Sequence, residues 1–239
     1  MNIALVLSGG TGSRLGGKIP KQYVDCVGRM MITRCLEPVF SHPMTDAVRI
    51  VAAEAWREAI ERELGAFIFS QDAFLREKFL GFSAPGETRQ YSILSGLRDI
   101  ARQAADEDIV MVHDAARPRL NPCLISDCFA AMEGHDGVMP VLPMKDTVYL
   151  SRDGKTVSSL LERREVFAGQ APEFFRLGKY LRANESLPRE KMLALNGATE
   201  PAVLAGMDIA LVPGDETNFK VTTAADMERY LALLAAEQE

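Results

Sequence analysis

Short apolar runs alternating with amphipathic stretches predict an α/β fold: a doubly wound, mostly parallel sheet, helices on both faces, and one projecting β-hairpin arm. Three observations carry that prediction. The run IALVL (3–7) is apolar at every position, as a parallel strand buried on both faces requires. Similar runs recur along the chain, separated by segments with helical spacing of their apolar residues. One stretch, 146–163, breaks that rhythm with two β-rich runs that meet at Asp153–Gly154, a strong hairpin signal.

Taken in order, the run 3–7 is the first strand, and MITRCLEPVFSH (31–42) is the first helix, spaced by Ile32, Cys35, Leu36 and Val39. Pro38 is expected to kink that helix or shift its boundary. AVRIVAA (47–53) is a second strand, and AWREAIERELG after it is a helix with a glycine stop at Gly65. QYSILSGLRDIARQAA (90–105) is a helix and DIVMVHD (108–114) a strand whose apolar run ends at a His–Asp pair. NPCLISDCFAAMEG (121–134) opens on Asn and Pro and closes on Gly, the punctuation of a capped helix. GVMPVLP (137–143) and DIALVP (208–213) are further strands, and TTAADMERYLALLAAEQE is a terminal helix with a threonine cap. The hairpin reads either as a surface flap or as an arm that embraces a second subunit. With no internal repeat, low-complexity tract or linker, one domain over 1–239 is expected, the arm inserted at about 144–168.

Composition narrows the function classes. The chain has 239 residues, 47% hydrophobic and 25% charged, values typical of a globular domain that folds without metal or disulfide. A net charge of −6 argues against a general grip on nucleic acid. No apolar run reaches the ~18 residues of a membrane helix, and MNIALVLSGG reads as a strand and not as a signal peptide. Four cysteines without CxxC spacing and three histidines point away from a zinc site or a disulfide framework and toward a reducing cytoplasm.

The chemistry concentrates after the first strand. SGGTGSRLGGKIPKQY (8–23) places Gly9, Gly10, Gly12, Gly16 and Gly17 among Arg14, Lys18 and Lys21. At a strand's C-terminal end, glycines let backbone N–H groups approach phosphate oxygens while the cations neutralise their charge. Gly12-x-x-x-x-Gly17-Lys18 is not a nucleotide-hydrolase P-loop: Ile19 stands where Ser or Thr must hold magnesium, and Pro20 blocks the helix that should follow. The dinucleotide fingerprint fails as well, because Leu15 replaces its third glycine and no acidic residue closes the second strand. A nicotinamide oxidoreductase is therefore the distant alternative. Arg14 and Lys21, flanking a proline-bent loop, are a pair that can converge on a triphosphate.

Gly-x-Gly-x-Arg followed by Pro20-Lys21-Gln22 resembles the signature of the polyol-phosphate cytidylyltransferases, the family of methylerythritol-phosphate and ribitol-phosphate enzymes. The likeness runs over essentially the whole chain. Gly86-Glu87-Thr88-Arg89-Gln90-Tyr91-Ser92 resembles the family's G-x-x-R-x-x-S loop, which reads cytosine and closes over the nucleotide; Ser92 is also placed to cap the helix that follows. Val112-His113-Asp114-Ala115-Ala116-Arg117-Pro118 resembles V-H-D-A-A-R-P almost letter for letter. Asp146-Thr147, Arg163 and Asn218-Phe219-Lys220-Val221-Thr222 resemble the base of the dimer arm, the arm arginine and the N-I-K-V/I-T segment. Two places depart from the pattern: Ala171-Pro172-Glu173 stands for T-P-Q, and Ala198-Thr199-Glu200-Pro201-Ala202 stands for the acidic T-D-E/T-D-A segment. Gln170 and Ser186–Lys191 lean toward the ribitol-phosphate enzymes.

The resemblance implies a Rossmann-like nucleotidyltransferase fold and a reaction that joins CTP to a polyol phosphate, giving CDP-polyol and pyrophosphate. Methylerythritol phosphate, an isoprenoid precursor, is the expected acceptor, with ribitol phosphate the alternative. Arg14, Lys21, Lys220 and Arg163 are the expected catalytic cations. Ser8, Gly9, Gly10, Gly12, Gly86, Glu87, Arg89, Ser92, Asp114 and Ala115 are expected at the nucleotide, and Arg117, Thr147, Arg163 and Lys220 at the acceptor. Asp114, a carboxylate at a strand end, is the expected Mg²⁺ ligand. His113 is expected to be packed and not a base, since an ionised phosphate attacks without losing a proton. A homodimer through the arm is the expected assembly.

Overall fold

The computed structural model describes residues 1–10 and 19–237. Its strands are β1 (Asn2–Leu7), β2 (Ala47–Val51), β3 (Phe79–Ser83), β4 (Ile109–Asp114), β5 (Gly137–Pro143), β6 (Tyr149–Leu150), β7 (Ser159–Leu160), β8 (Phe167–Gly169), β9 (Glu173–Arg176) and β10 (Ile209–Pro213). The helices are α1 (Met31–Ser41), α2 (Glu54–Leu64), α3 (Arg89–Ile100), α4 (Pro122–Ala130), α5 (Leu177–Glu185), α6 (Arg189–Ala194), α7 (Glu200–Leu204) and α8 (Ala224–Ala236).

The main sheet runs β10-β5-β9-β4-β1-β2-β3, with β8 also on β5. Its β1, β2, β3 and β4 pair in parallel, as do β5 and β10. The strand β9 is wedged antiparallel between β4 and β5. Alternation along each strand builds two cores. Ala4, Val6, Met111 and Phe174 join α1, α2 and α4 on one face. Ile3, Leu5, Val110, Val112 and Phe175 join α3, α5 and α7 on the other. The expected doubly wound sheet is borne out.

Several local expectations are corrected. α2 ends before Gly65, as expected, but Gly65 is no left-handed stop: its backbone stays right-handed at φ −61°, and the chain runs on through a wide turn over Gly65–Phe69. Gly lacks a reason to adopt the left-handed region there, because the continuing turn uses its carbonyl neighbours as a helix does. α1 runs through Pro38 to Ser41. The helix expected over 90–105 ends at Ile100. Asp153–Gly154 do not form a two-residue turn. The ladder pairs only Tyr149 with Leu160 and Leu150 with Ser159, and residues 151–158 bridge it. There the Asp153 carboxylate accepts from Lys155 N, Thr156 N and Thr156 Oγ1, a local satisfaction that competes with strand pairing.

Because every parallel strand points its C-terminal end the same way, Leu7, Val51, Ser83 and Asp114 end on one rim of the sheet. The antiparallel β9 starts at that rim, so Glu173 lies beside Val112 with Asp114 one pleat further on.

Candidate active site

At that rim a cavity of about 380 Å³ is lined by Ser8, Gly9 and Gly10, by Lys21 and Gln22, by Gly86–Arg89 and Ser92, and by Asp114, Ala116, Lys220 and Thr222. Four segments far apart in sequence thus converge on one space, and each is pinned by identifiable bonds.

The first segment leaves β1 at Ser8. The Gln22 side-chain amide donates to the carbonyls of Ser8 (2.6 Å) and Gly10 (2.7 Å), and the Tyr23 hydroxyl donates to Ser8 O (2.7 Å). Tyr23 is itself stacked on Trp56 with ring centroids 4.4 Å apart. The turn that carries Lys21 is thereby fastened to the end of β1, which sets the Lys21 backbone against the cavity. Arg14 and Gly12 lie outside the described residues.

The second segment closes on itself. Gly86 N donates to Ser92 Oγ at 3.0 Å, and Ser92 Oγ donates to Thr88 O at 2.9 Å. A side chain at Gly86 would collide with Tyr91, so only glycine lets the loop fold this tightly. The helix cap expected at Ser92 is supplied by Thr88 instead, whose hydroxyl accepts from Tyr91 N. Glu87 pairs with Arg189 at 2.7 Å on the cavity's outer edge.

The third and fourth segments meet at Asp114. Val221 N donates to Ala116 O, Arg117 Nη1 donates to Asn218 O at 2.6 Å, and Asn218 Nδ2 donates to Ala171 O at 2.8 Å. These bonds lay the segment 218–222 along the turn after β4, and Lys220 Nζ lands 2.8 Å from Asp114 Oδ2. From the other side Arg89 Nε and Nη2 both reach Asp114 Oδ1 at 3.0 Å. Burial alone would push the Asp114 carboxyl up, but the Arg89 guanidinium and the Lys220 ammonium overcome it and hold it far below the usual carboxylate range. His113, wholly buried, is pushed down to about 4, chiefly by burial, and its Nε2–H donates to Arg117 O at 3.3 Å. The ring is neutral and packed at physiological pH.

Other candidate residues lie elsewhere. Ala115 is buried in the core, and Ala116 lines the cavity in its place. Arg117 is spent on Asn218 O beneath the cavity. Thr147 and Arg163 are exposed on the arm, where Arg163 Nη1 donates to Lys145 O at 2.9 Å. Among the described residues no group of three or more His, Cys, Asp or Glu side chains gathers as a metal cage. Sequence reasoning gave no role to Gln22, Asn218 or Glu173. The first two sit inside the motifs that carry the resemblance, and Glu173 was visible only as a departure from it.

The family described as IspD, 2-C-methyl-D-erythritol 4-phosphate cytidylyltransferase, matches residues 2–236. A 2-C-methyl-D-erythritol 4-phosphate cytidylyltransferase from Rubrobacter xylanophilus is 34% identical over 240 residues, covering 99% of this chain and 96% of the relative. The bifunctional enzyme IspD/IspF of Paramagnetospirillum magneticum is 33% identical over 97% of this chain, which spans 56% of that longer protein. In fold, the chain is similar to the crystal structure of 4-diphosphocytidyl-2C-methyl-D-erythritol synthase from Anaerococcus prevotii, with TM-score 0.79 and 22% identity over 98% of this chain and 96% of that one.

Proposed function

The chain belongs to the 2-C-methyl-D-erythritol 4-phosphate cytidylyltransferase family, and we propose that it joins CTP to methylerythritol phosphate, releasing pyrophosphate. An oxygen of the acceptor phosphate attacks the α-phosphorus of CTP. One P–O bond forms there as the bond to the β-phosphate oxygen breaks, and the electron pair leaves with pyrophosphate. Two anions must approach each other, so positioning and charge stabilisation carry the catalysis. The observation that supports this best is the convergence of Lys21, Lys220, Arg89 and Asp114 on the one cavity that also holds the glycine segment 8–10.

Lys21, with Arg14, stabilises the transferring and leaving phosphates. Ser8, Gly9, Gly10 and Gly12 bring backbone to the triphosphate, and Gly86, Glu87 and Ser92 surround the base. Lys220 holds the acceptor beside the α-phosphate. Asp114 is a hard oxygen donor kept ionised at the cavity wall, which suits Mg²⁺ held jointly by one carboxylate and the nucleotide's phosphates. Bound there, the ion would neutralise charge on the triphosphate.

Acceptor recognition completes the reading. Arg163 and Thr147 sit on an arm that exposes Tyr149, Leu150, Val157, Leu160 and Phe167, an apolar set that a second copy of the chain would cover. In the homodimer Arg163 clamps the acceptor's phosphate in the partner's cavity. Among the described residues no helix is long and apolar enough to cross a membrane, and three of the four free cysteines are buried, in keeping with a reducing cytoplasm.

A pyrophosphate-release assay crossing four ribonucleoside triphosphates with methylerythritol and ribitol phosphates tests the proposal. Turnover is expected with CTP and methylerythritol phosphate. Turnover only with ribitol phosphate would reassign the acceptor, and NADH binding without pyrophosphate release would overturn the class.

A further inference from the structure

Glu173 is 7% exposed, sits at the start of β9, and takes no part in the roles above. Its register opposite Val112 puts its side chain on the same sheet face as Asp114, under the nucleotide loop. Glu173 Oε1 accepts from Thr199 Oγ1 at 3.2 Å, and Oε2 faces Arg89 Nη2 at 3.8 Å. Among the described residues that Oε2 has no hydrogen-bond partner, nor does Arg89 Nη1, although both are buried. Arg89 Nη2 is therefore bonded to one carboxylate and close to a second. The two places where the chain leaves the family pattern, Glu173 and Ala198–Thr199, meet at this point.

A buried carboxylate with an orphaned oxygen is costly unless its charge serves a neighbour. Burial and the nearby Asp114 push the Glu173 carboxyl up to about 7 against the pull of the Arg89 guanidinium. Arg89 is the first residue of α3 and belongs to the loop that begins at Gly86. Whatever fixes its guanidinium also fixes the mouth of the nucleotide end of the cavity.

We propose that Glu173 is a positioning residue for nucleotide binding: oriented by the Thr199 hydroxyl, it holds Arg89 together with Asp114 and so anchors the Gly86–Ser92 loop across β4 and β9. The inference rests on the reading of this cavity as a CTP site. Simple electrostatics predicts the opposite sign for the obvious variant, since removing a negative charge from beneath a triphosphate site strengthens anion binding. The sign of the effect therefore decides.

The test is CTP affinity by equilibrium dialysis, with steady-state KM values, for wild type, Glu173→Gln, Arg89→Gln and the double variant. E173Q is expected to weaken CTP about tenfold, to raise KM for CTP while leaving KM for the acceptor alone, and to add nothing to the loss in R89Q. A purely structural role would move both KM values together. Unchanged or tighter CTP binding in E173Q, or losses that add in the double variant, overturns the proposal while leaving the proposed reaction standing. Wild-type protein that binds no CTP overturns both. Should E173Q not fold, Thr199→Val, which removes only the orienting hydroxyl, carries the same expectation and the same overturning results.

Discussion

At the scale of single residues, the cations at this rim have backbones fixed by uncharged neighbours. Lys21 illustrates the division of labour. Its turn is fastened to β1 by Gln22 and Tyr23, so replacing the lysine leaves the fastening intact. Lys21→Ala is expected to lower kcat at least about a hundredfold, the scale of losing one preorganised stabiliser of a charged transition state. Circular dichroism should show an unchanged fold, and turnover near wild type would remove Lys21 from the chemistry. The charged residues were legible in the sequence because each lay inside a motif. The bonds that place them were not. Nothing in the order of letters says that Asn218 bridges Ala171 O and Arg117, or that Glu173 and Thr199 touch, because those contacts follow from β9 entering the sheet antiparallel.

At the scale of elements, what was legible depended on how completely each segment is buried. β1, β4 and β5 are covered on both faces and announce themselves as apolar runs. Short β9, EFFR, carries a charge at each end and escaped notice, as did β3, whose FLGFS is broken by a glycine. Where two elements touch closely, a glycine is required. Gly96 in α3 lies against Leu5 of β1, and a Cβ there would overlap the leucine methyl groups. Gly96→Ala is expected to cost about 1–3 kcal/mol in denaturant unfolding despite alanine's better helix propensity. A neutral or stabilising result would mean that α3 moves off β1 without penalty.

The last helix offers a pH-dependent case. Thr223 Oγ1 accepts from Asp226 N, while the Asp226 carboxylate accepts from the backbone of Thr222 and Thr223 and from the Thr222 hydroxyl. Those backbone and hydroxyl donors hold the Asp226 carboxyl well below the usual range. A depressed folded value stabilises the protein above the unfolded aspartate value of about 4, and that contribution fades as pH falls through it. Asp226→Ala is therefore expected to cost about 1–2 kcal/mol at pH 7. The gap from wild type should narrow in melts below about pH 3; a gap that stays constant would assign the loss to packing of α8 and not to its cap.

At the scale of the whole molecule, the residues of the proposed nucleotide site line one cavity, while Arg163 and Thr147 lie on an exposed arm and not in that lining. If the proposed site takes Arg163 from a second copy, a symmetric dimer makes this testable by counting. Suppose each cavity takes Lys21 from one chain and Arg163 from its partner. Arg163→Ala homodimers have two sites with a weakened acceptor clamp, and Lys21→Ala homodimers have two without the leaving-group cation. In a mixed dimer the two lesions fall together in one site, so the other site is intact. Random exchange makes half of the dimers mixed, each with one intact site in two, so the mixture should recover about a quarter of wild-type activity. The assay is run at an acceptor concentration far below the raised KM of Arg163→Ala, where that homodimer contributes little; its KM for CTP should stay at the wild-type value. If both residues instead serve the same chain's cavity, every site in every dimer carries one lesion, and mixing restores nothing. Mass spectrometry of the exchanged sample verifies that mixed dimers formed, so silence in the assay would mean that each chain works alone.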